Sequence, residues 1–204
     1  LHGETIDLAE GVTGPADVII NSNTAGEPGS FANLSASTFT SGTDTLTING
    51  LYGSESITAP TNIAVILNGL QGNDTLVGGA GADTITGGAG TDIITGGSGN
   101  DTIVIAISAE GNSDTVDGGT GSDTLQLSSG VHTLTTDNRL LNVETVKTHA
   151  DGSTVDLTNQ TESFNITVGA GTDSLKGGGA ADTINILNAG EGNSDTIDGG
   201  AGSD

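Results

Sequence analysis

Aliphatic residues recur at a spacing of nine positions along two stretches of this chain, each flanked by polar or small residues. In the triplet Thr84-Ile85-Thr86 polar and apolar residues alternate, which is the pattern of a short β-strand with one buried face. One aliphatic side chain per repeat cannot bury itself, but the same residues stacked coil upon coil would form a continuous apolar ladder. The pattern therefore predicts an all-β solenoid. The side chains predicted to point inward are Leu76, Ile85, Ile94, Ile103, Val116, Leu125, Leu175, Ile184 and Ile197.

Each triplet is the end of a nonapeptide that begins with a glycine-rich run. Four contiguous units are GLQGNDTLV at 69–77, GGAGADTIT at 78–86, GGAGTDIIT at 87–95 and GGSGNDTIV at 96–104. Related units are GGTGSDTLQ at 118–126, VGAGTDSLK at 168–176, GGGAADTIN at 177–185 and the partial GGAGSD at 199–204. Because glycine permits positive φ and close backbone approach, the first six residues of a unit are predicted to form a turn and the last three a strand.

A longer module is also duplicated. Residues 101–123 and 182–204 match without a gap at 16 of 23 positions, an offset of 81 residues. In both copies the usual interval of nine residues between successive aspartates widens once to thirteen. A four-residue insertion that recurs at the same place indicates a tolerated bulge in one loop.

The acidity of the chain narrows its partners. It has 3 Lys and Arg against 26 Asp and Glu, a formal charge of −23, which argues against nucleic acid because phosphate binding needs clustered basic residues. A disordered acidic tail would not carry 32% apolar residues with regularly spaced aspartates. The acidity is consistent instead with binding sites for a hard cation, which prefers oxygen ligands.

The chain has no cysteine, so a disulfide framework and a thiolate metal site are excluded. Its apolar runs are too short for a membrane span.

The nonapeptides resemble the G-G-x-G-x-D-x-U-x units of the RTX (repeats-in-toxin, haemolysin-type) calcium-binding family. The resemblance implies a right-handed parallel β-roll in which two nonapeptides make one 18-residue coil and Ca²⁺ lies between turns of adjacent coils. It implies aspartate carboxylates and glycine-loop carbonyl groups as ligands. The implied aspartates are Asp74, Asp83, Asp92, Asp101, Asp114, Asp123, Asp173, Asp182, Asp195 and Asp204. The implied turn glycines are Gly78, Gly79, Gly81, Gly87, Gly88, Gly90, Gly96, Gly97, Gly99, Gly118, Gly119 and Gly121.

The resemblance also pairs turns that lie two nonapeptides apart. The implied pairs are Asp74 with Asp92, Asp83 with Asp101, Asp92 with Asp114, Asp101 with Asp123, Asp173 with Asp195, and Asp182 with Asp204. Leu70, Val168 and Ala180 stand where the motif has glycine, and the inserted loops precede Asp114 and Asp195. Without metal, stacked carboxylates would repel, and the glycine-rich stretch is then expected to behave as a flexible linker.

Four segments are expected. Residues 1–68 form a β-rich segment with eroded repeats, 69–126 the first calcium-binding block, 127–167 solenoid coils without metal turns, and 168–204 a second, truncated block. In the first segment Asp44 and Glu55 occupy the ligand position of eroded units. In the third, strand-like alternation is found at 143–146, 153–158 and 163–168. The chain starts at Leu1 and stops within a repeat, which suggests a piece of a longer protein.

Catalysis is not expected from these residues. Sugar-cleaving β-helices use paired carboxylates together with aromatic and basic groups, whereas the aspartates here lie at repeat positions and Arg139, Lys147 and Lys176 are scattered. The three histidines, His2, His132 and His149, are isolated and are expected on the surface. Ice binding is not favoured either, because it needs a regular Thr/Asn row and the residues immediately before the aspartates vary. They are Asn73, Ala82, Thr91, Asn100, Ser113 and Ser122.

The leading hypothesis is a calcium-dependent structural segment of an exported bacterial surface protein, of the S-layer or adhesin type, that folds on extracellular calcium. The alternative is a noncatalytic RTX secretion and folding module of an exported enzyme or toxin. The resemblance implies type I secretion for both, and hence a secreted or cell-surface location. The expected partners are calcium ions, with self-association or cell-surface components as further candidates, and neither nucleic acid nor membrane insertion.

Overall fold

The computed structural model describes residues 18–21, 46–50, 53–61, 63–105, 114–134, 139–187 and 194–204. Within these ranges the chain forms eighteen short β-strands that pair in three sheets, and the strand pairs are parallel. No helix long and apolar enough to cross a membrane is present in the described part of the chain. The all-β, parallel solenoid predicted from the nine-residue period is confirmed.

Nine strands form one side of the solenoid, here called the long sheet. In spatial order they are β1 (Val18–Asn21), β2 (Leu46–Asn49), β4 (Val65–Gln71), β6 (Thr84–Ala89), β8 (Thr102–Ile105), β10 (Thr124–Leu127), β13 (Thr145–Lys147), β15 (Asn165–Val168) and β17 (Thr183–Ile186). From β2 onward the chain leaves and re-enters this sheet once per coil, so strands that are neighbours in the sheet are separated in sequence by at least one strand of another sheet. That is the topology of a solenoid.

Two shorter sheets form the other side. The first short sheet contains β3 (Ser56–Thr58), β5 (Thr75–Gly79), β7 (Ile93–Ser98), β9 (Thr115–Thr120) and β12 (Leu140–Leu141). The second short sheet contains β11 (Gly130–Thr133), β14 (Ser153–Asp156), β16 (Ser174–Lys176) and β18 (Thr196–Asp198). β11 and β12 follow one another along the chain, so one short sheet begins where the other ends. The long sheet continues past this change and joins both repeat blocks.

The length of a coil follows the sequence repeat. Thr84 and Thr102 are register partners in the long sheet, and equivalent residues of adjacent coils are 18 residues apart where the nonapeptides are regular. The next step, from Thr102 to Thr124, takes 22 residues. The recurrent four-residue insertion therefore lies in the connection that leaves the long sheet, and residues 106–113 of this connection lie outside the described ranges.

Stacked aliphatic side chains fill the interior. Along the long sheet the register aligns Ile48, Leu67, Ile85, Ile103, Leu125, Val146, Ile166 and Ile184 in one column. Of the nine side chains predicted to point inward, seven are buried, while Ile184 and Ile197 are partly buried and pack against the same core. These two belong to β17 and β18, the last strands of their sheets, where a covering strand is missing on one side.

The histidine prediction was wrong for His132. Its side chain is fully buried, in register with Val155 in the second short sheet, so an imidazole occupies a place in the apolar column. Its Nε2 donates to the carbonyl oxygen of Ser128 at 2.9 Å, and burial lowers its pKa. His149 has a partly exposed side chain, with Nδ1 3.5 Å from Oδ2 of Asp151. His2 lies outside the described residues.

The aliphatic columns should dominate the stability of the calcium-loaded fold. Ile85 is fully buried between Leu67 and Ile103, whereas Ile93 on β7 is 53% exposed. Ile85→Ala should lower the free energy of unfolding by about 2–5 kcal/mol, because it leaves a cavity in the ladder. Ile93→Ala should change it by less than about 0.5 kcal/mol. Urea unfolding at saturating calcium measures both variants, and equal losses would contradict the stacked-core account.

Candidate metal centre

Acidic residues lie in register, most of them immediately before a strand, and form four rows. Row one precedes strands of the first short sheet, row two strands of the long sheet and row three strands of the second short sheet. Row four consists of an acid just before β17 and the acid one coil later, which precedes no described strand. Row one consists of Glu55, Asp74, Asp92 and Asp114; row two of Asp83, Asp101, Asp123 and Glu144; row three of Asp173 and Asp195; row four of Asp182 and Asp204.

Within a row, each acid after the first accepts through one carboxylate oxygen the backbone N–H of the acid one coil earlier. The N–H of Asp83 donates to Oδ1 of Asp101 at 2.8 Å, and the N–H of Asp101 donates to Oδ1 of Asp123 at 2.8 Å. The same bond links Asp74 to Asp92, Asp92 to Asp114, Asp173 to Asp195 and Asp182 to Asp204, at 2.8–3.0 Å. The structure thus brings together all six aspartate pairs that the resemblance implied.

Each acid is one rung of its row, and the second carboxylate oxygen of most rungs is buried. Exposure is 7% or less for the six aspartates of rows one and two and for Asp173 and Asp182, while Asp195 is half-buried and Asp204 exposed. A buried carboxylate oxygen without a partner is costly, because it has lost water and gained nothing in return. Among the described residues, such oxygens without a hydrogen-bond partner are Oδ2 of Asp74, Asp83, Asp92, Asp101, Asp123, Asp173 and Asp195.

The first glycine of each turn makes room for these oxygens. A β-carbon on Gly96 would lie 2.5 Å from the carbonyl oxygen of Gly118 in the next coil and would also clash with Oδ2 of Asp101. A β-carbon on Gly78 would meet the carbonyl oxygen of Gly96 at 2.6 Å and Oδ2 of Asp83. A carboxylate oxygen and a carbonyl oxygen from successive coils therefore converge where any other residue would place its side chain. Gly87 and Gly118 lie against the carboxylates of their own turns in the same way.

The remaining turn glycines have a backbone role. Gly97 has a φ of 112°, a conformation that residues with a side chain rarely adopt. Gly79, Gly88, Gly90, Gly99, Gly119 and Gly121 also have positive φ. Gly81 instead lies against the backbone of Ile63 and Ala64. Leu70, which replaces a motif glycine, takes a φ of 78° and so keeps the turn at a cost of roughly 1–2 kcal/mol.

The donor set suits a hard cation. In the described ranges no group of three or more His, Cys, Asp or Glu side chains is arranged to hold a metal ion by itself. The oxygens that converge between coils are carboxylate oxygens of the rows and backbone carbonyl oxygens of the turns. Oxygen-only sets of this kind are the ligands that Ca²⁺ prefers. The buried oxygens of the rows and the converging carbonyl groups therefore fit calcium.

Burial raises the pKa of seven aspartates of the rows. It raises the pKa of Asp74 to about 7, with the Asp92 and Glu55 carboxylates adding to the effect. It raises the pKa of Asp83 and of Asp114 to about 6. The pKa values of Asp92, Asp101, Asp123 and Asp173 are raised for the same reason, and the backbone N–H bonds to these carboxylates offset part of the shift.

Of the two acidic residues predicted in eroded units, the structure describes one. Glu55 lies in row one as expected, and its N–H donates to Oδ1 of Asp74 at 2.8 Å, whereas Asp44 lies outside the described residues. Sequence reasoning missed Glu144, because no glycine turn precedes it. The available signal was the run Glu144-Thr-Val, which follows the Asp-Thr-aliphatic pattern of the repeats.

Acidification should stabilise the metal-free fold and weaken calcium binding. The raised pKa values mean that the folded chain binds protons more tightly than the unfolded chain, whose carboxyl groups titrate near 3.8. The cost of burying charged carboxylates is therefore complete above about pH 7 and is relieved as the pH falls towards 4. Metal-stripped protein should show more β structure by circular dichroism at about pH 5.5 than at about pH 7.5. Its calcium affinity, measured by calorimetry, should be lower at the acidic pH because protons compete for the same oxygens. Loss of β structure on acidification across this window would contradict the assignment of the shifts to burial.

Comparison with protein families gives one match that agrees with this geometry. The model of the RTX calcium-binding nonapeptide repeat (4 copies) matches residues 68–103, 107–130 and 167–204. Comparison with curated proteins and with solved structures gave no match. The matched segments contain the turns of the four rows apart from Glu55 and Glu144, and the metal of such repeats is calcium. The chain therefore contains repeats of the RTX calcium-binding nonapeptide family, distributed over residues 68–204.

Proposed function

We propose that this chain is a calcium-dependent structural segment of an exported bacterial surface protein, of the S-layer or adhesin type, which folds when it meets extracellular calcium. A solenoid of RTX repeats is a calcium-binding structural module of a generally non-catalytic type, and RTX repeats occur in exported bacterial proteins. The observation that supports the proposal is the set of rows, in which buried carboxylate oxygens have no hydrogen-bond partner among the described residues.

In this proposal calcium lies between successive rungs of a row. The ligands are the ten aspartates of the four rows and the carbonyl groups of the turn glycines. Rungs then differ in how many ions they serve. Asp101 has Asp83 on one side and Asp123 on the other, whereas Asp83 has the apolar Val65 as its other neighbour, whose N–H donates to it at 2.8 Å.

Calcium binding is coupled to folding because the metal-free fold is opposed by charge repulsion and by loss of conformational entropy. The buried carboxylates repel one another and lack hydration, and 35 glycines lose much conformational freedom on ordering. Low cytosolic calcium would leave the chain unfolded and suited to export, and millimolar calcium outside the cell would then supply the missing interactions.

The continuity of the long sheet supports a structural role. Its nine strands run through both repeat blocks and the segment between them. At about 4.8 Å between neighbouring strands, such a sheet is about 40 Å long. A calcium-stiffened rod of this kind fits a spacer or scaffold in a surface protein, since it sets a distance without needing a large core.

The ligand assignment predicts unequal effects within row two. Asp101→Asn should reduce bound calcium more than Asp83→Asn, because Asp101 serves an ion on each side and Asp83 serves one. Asparagine keeps the oxygen that accepts the N–H of the preceding coil, so the comparison isolates the charge. Calorimetric titration of both variants measures the loss. Equal losses from the two positions would show that the rungs are not shared between ions.

Surface assembly predicts association driven specifically by calcium. At a net charge of −23 two molecules repel, and ordinary screening by salt reduces this repulsion whatever the cation. Light scattering on the folded protein should show a rise in mean mass with calcium that magnesium at equal ionic strength does not reproduce. A protein that stays monomeric at millimolar calcium and high concentration would instead favour the noncatalytic secretion and folding module of an exported enzyme or toxin.

Acidic residues outside the rows, at equivalent positions of the duplicated module, are candidate bridging groups for such assembly. Two of them, Asp117 and Asp198, each accept the N–H of a glycine two residues later, Gly119 and Gly200, at 3.1 Å. These two carboxylates therefore have a bond within their own turn. Glu110 and Glu191, at equivalent positions of the duplicated module, lie outside the described residues.

A further inference from the structure

Row two continues past the family repeats. Glu144 immediately precedes β13, whose Thr145 is the register partner of Thr124, so Glu144 stands opposite Asp123. Its Oε2 accepts the N–H of Asp123 at 2.6 Å. This is the bond that Asp123 itself makes to Asp101 through Oδ1, at 2.8 Å. Glu144 is thus the next rung, although it lies between the segments that match the repeat family.

The turn before Glu144 reproduces a glycine turn with an asparagine. Asn142 has a φ of 52°, and asparagine is among the few residues with a side chain that tolerate this region. Its Nδ2 donates to Oδ1 of Asp117 at 2.7 Å, which ties the turn to the preceding coil. Its carbonyl oxygen lies where a β-carbon on Gly118 would be. In the regular turns this place is taken by the carbonyl group of the next coil's first glycine.

Asp123 supplies an independent sign of a ligand. Its side chain is fully buried, and its Oδ2 has no hydrogen-bond partner among the described residues. This oxygen lies 2.7 Å from the position of a β-carbon on Gly118, the same position that the carbonyl oxygen of Asn142 approaches. A buried carboxylate oxygen and a carbonyl oxygen therefore converge at this position, and the carboxylate of Glu144, an exposed residue, accepts the N–H of the same Asp123.

We propose that Asp123, Glu144 and the carbonyl group of Asn142 form an additional site for a hard divalent cation, calcium, in a turn without the glycine motif. The inference rests on the proposed function of the rows and extends it to residues that the family model does not cover. The site makes Asp123 a shared rung, with one ion towards Asp101 and one towards Glu144. Metal binding at this site would also order the coils that connect the first repeat block to the second.

Glu144→Gln in the full chain is the matched test. Glutamine keeps an oxygen that accepts the N–H of Asp123, so a purely structural cap survives, while the charge that binds a cation is lost. Glu162→Gln is the control, since Glu162 belongs to no row and its Oε2 accepts the N–H of Thr161. Equilibrium dialysis with calcium as the only added metal should show one ion fewer per chain for Glu144→Gln. Glu162→Gln should bind as many as the wild type. Unchanged stoichiometry and affinity in Glu144→Gln would overturn the proposal.

A measurement on the wild type protects the test against a variant that fails to fold. With glutamate labelled by ¹³C at the side-chain carboxyl, the Glu144 signal should move on calcium addition beyond any change seen for Glu162. A Glu144 signal that follows Glu162 would overturn the site. The Asp101→Asn variant separates the two levels of the account. If it loses calcium while Glu144→Gln does not, only the additional site is wrong; if the wild type binds no calcium, the function proposed for the rows is wrong.

Discussion

Stacked carboxylates at the spacing of β-strands are the constraint on which this fold depends. Adjacent rungs of a parallel sheet lie about 4.8 Å apart, and two unit charges at that separation repel by about 3 kcal/mol at an effective dielectric constant near 20. In rows one and two this repulsion repeats from coil to coil between aspartates that are almost without exposure to water. Backbone N–H bonds stabilise one oxygen of these carboxylates, while the other oxygen of Asp83, Asp92 and Asp101 has no hydrogen-bond partner among the described residues. In the proposed function, calcium between the rungs would remove both difficulties at once.

The same constraint accounts for the composition. Converging oxygens leave no space for a β-carbon at Gly78 or Gly96, so the turns must be glycine-rich and contribute little apolar surface. The strands between them are short, and each adds few buried side chains to the columns. A chain of this kind has little hydrophobic stabilisation per residue to set against the ordering of its glycines. Metal binding and repetition then take the place of a large core.

The sequence predicts the regular part of this structure well because the repeat itself determines it. The nine-residue period, with the two units per coil that the resemblance to RTX repeats implies, places Asp83 beside Asp101 and Ile85 beside Ile103. The prediction weakens where the period is interrupted. The change from one short sheet to the other depends on how long connections pack, and the burial of His132 depends on that change. Asn142 and Glu144 were missed because a positive φ and a longer acidic side chain can replace glycine and aspartate without preserving the motif.

Circular dichroism of the metal-stripped wild-type chain at neutral pH, before and after calcium is added at constant ionic strength, tests the central claim most directly. With the carboxylates charged and no cation between them, the account predicts a spectrum without substantial β structure. Millimolar calcium should then produce the β spectrum in a cooperative transition. A β spectrum that persists at neutral pH after complete removal of calcium would contradict it, because the rows would then be stable without the ion on which they are argued to depend.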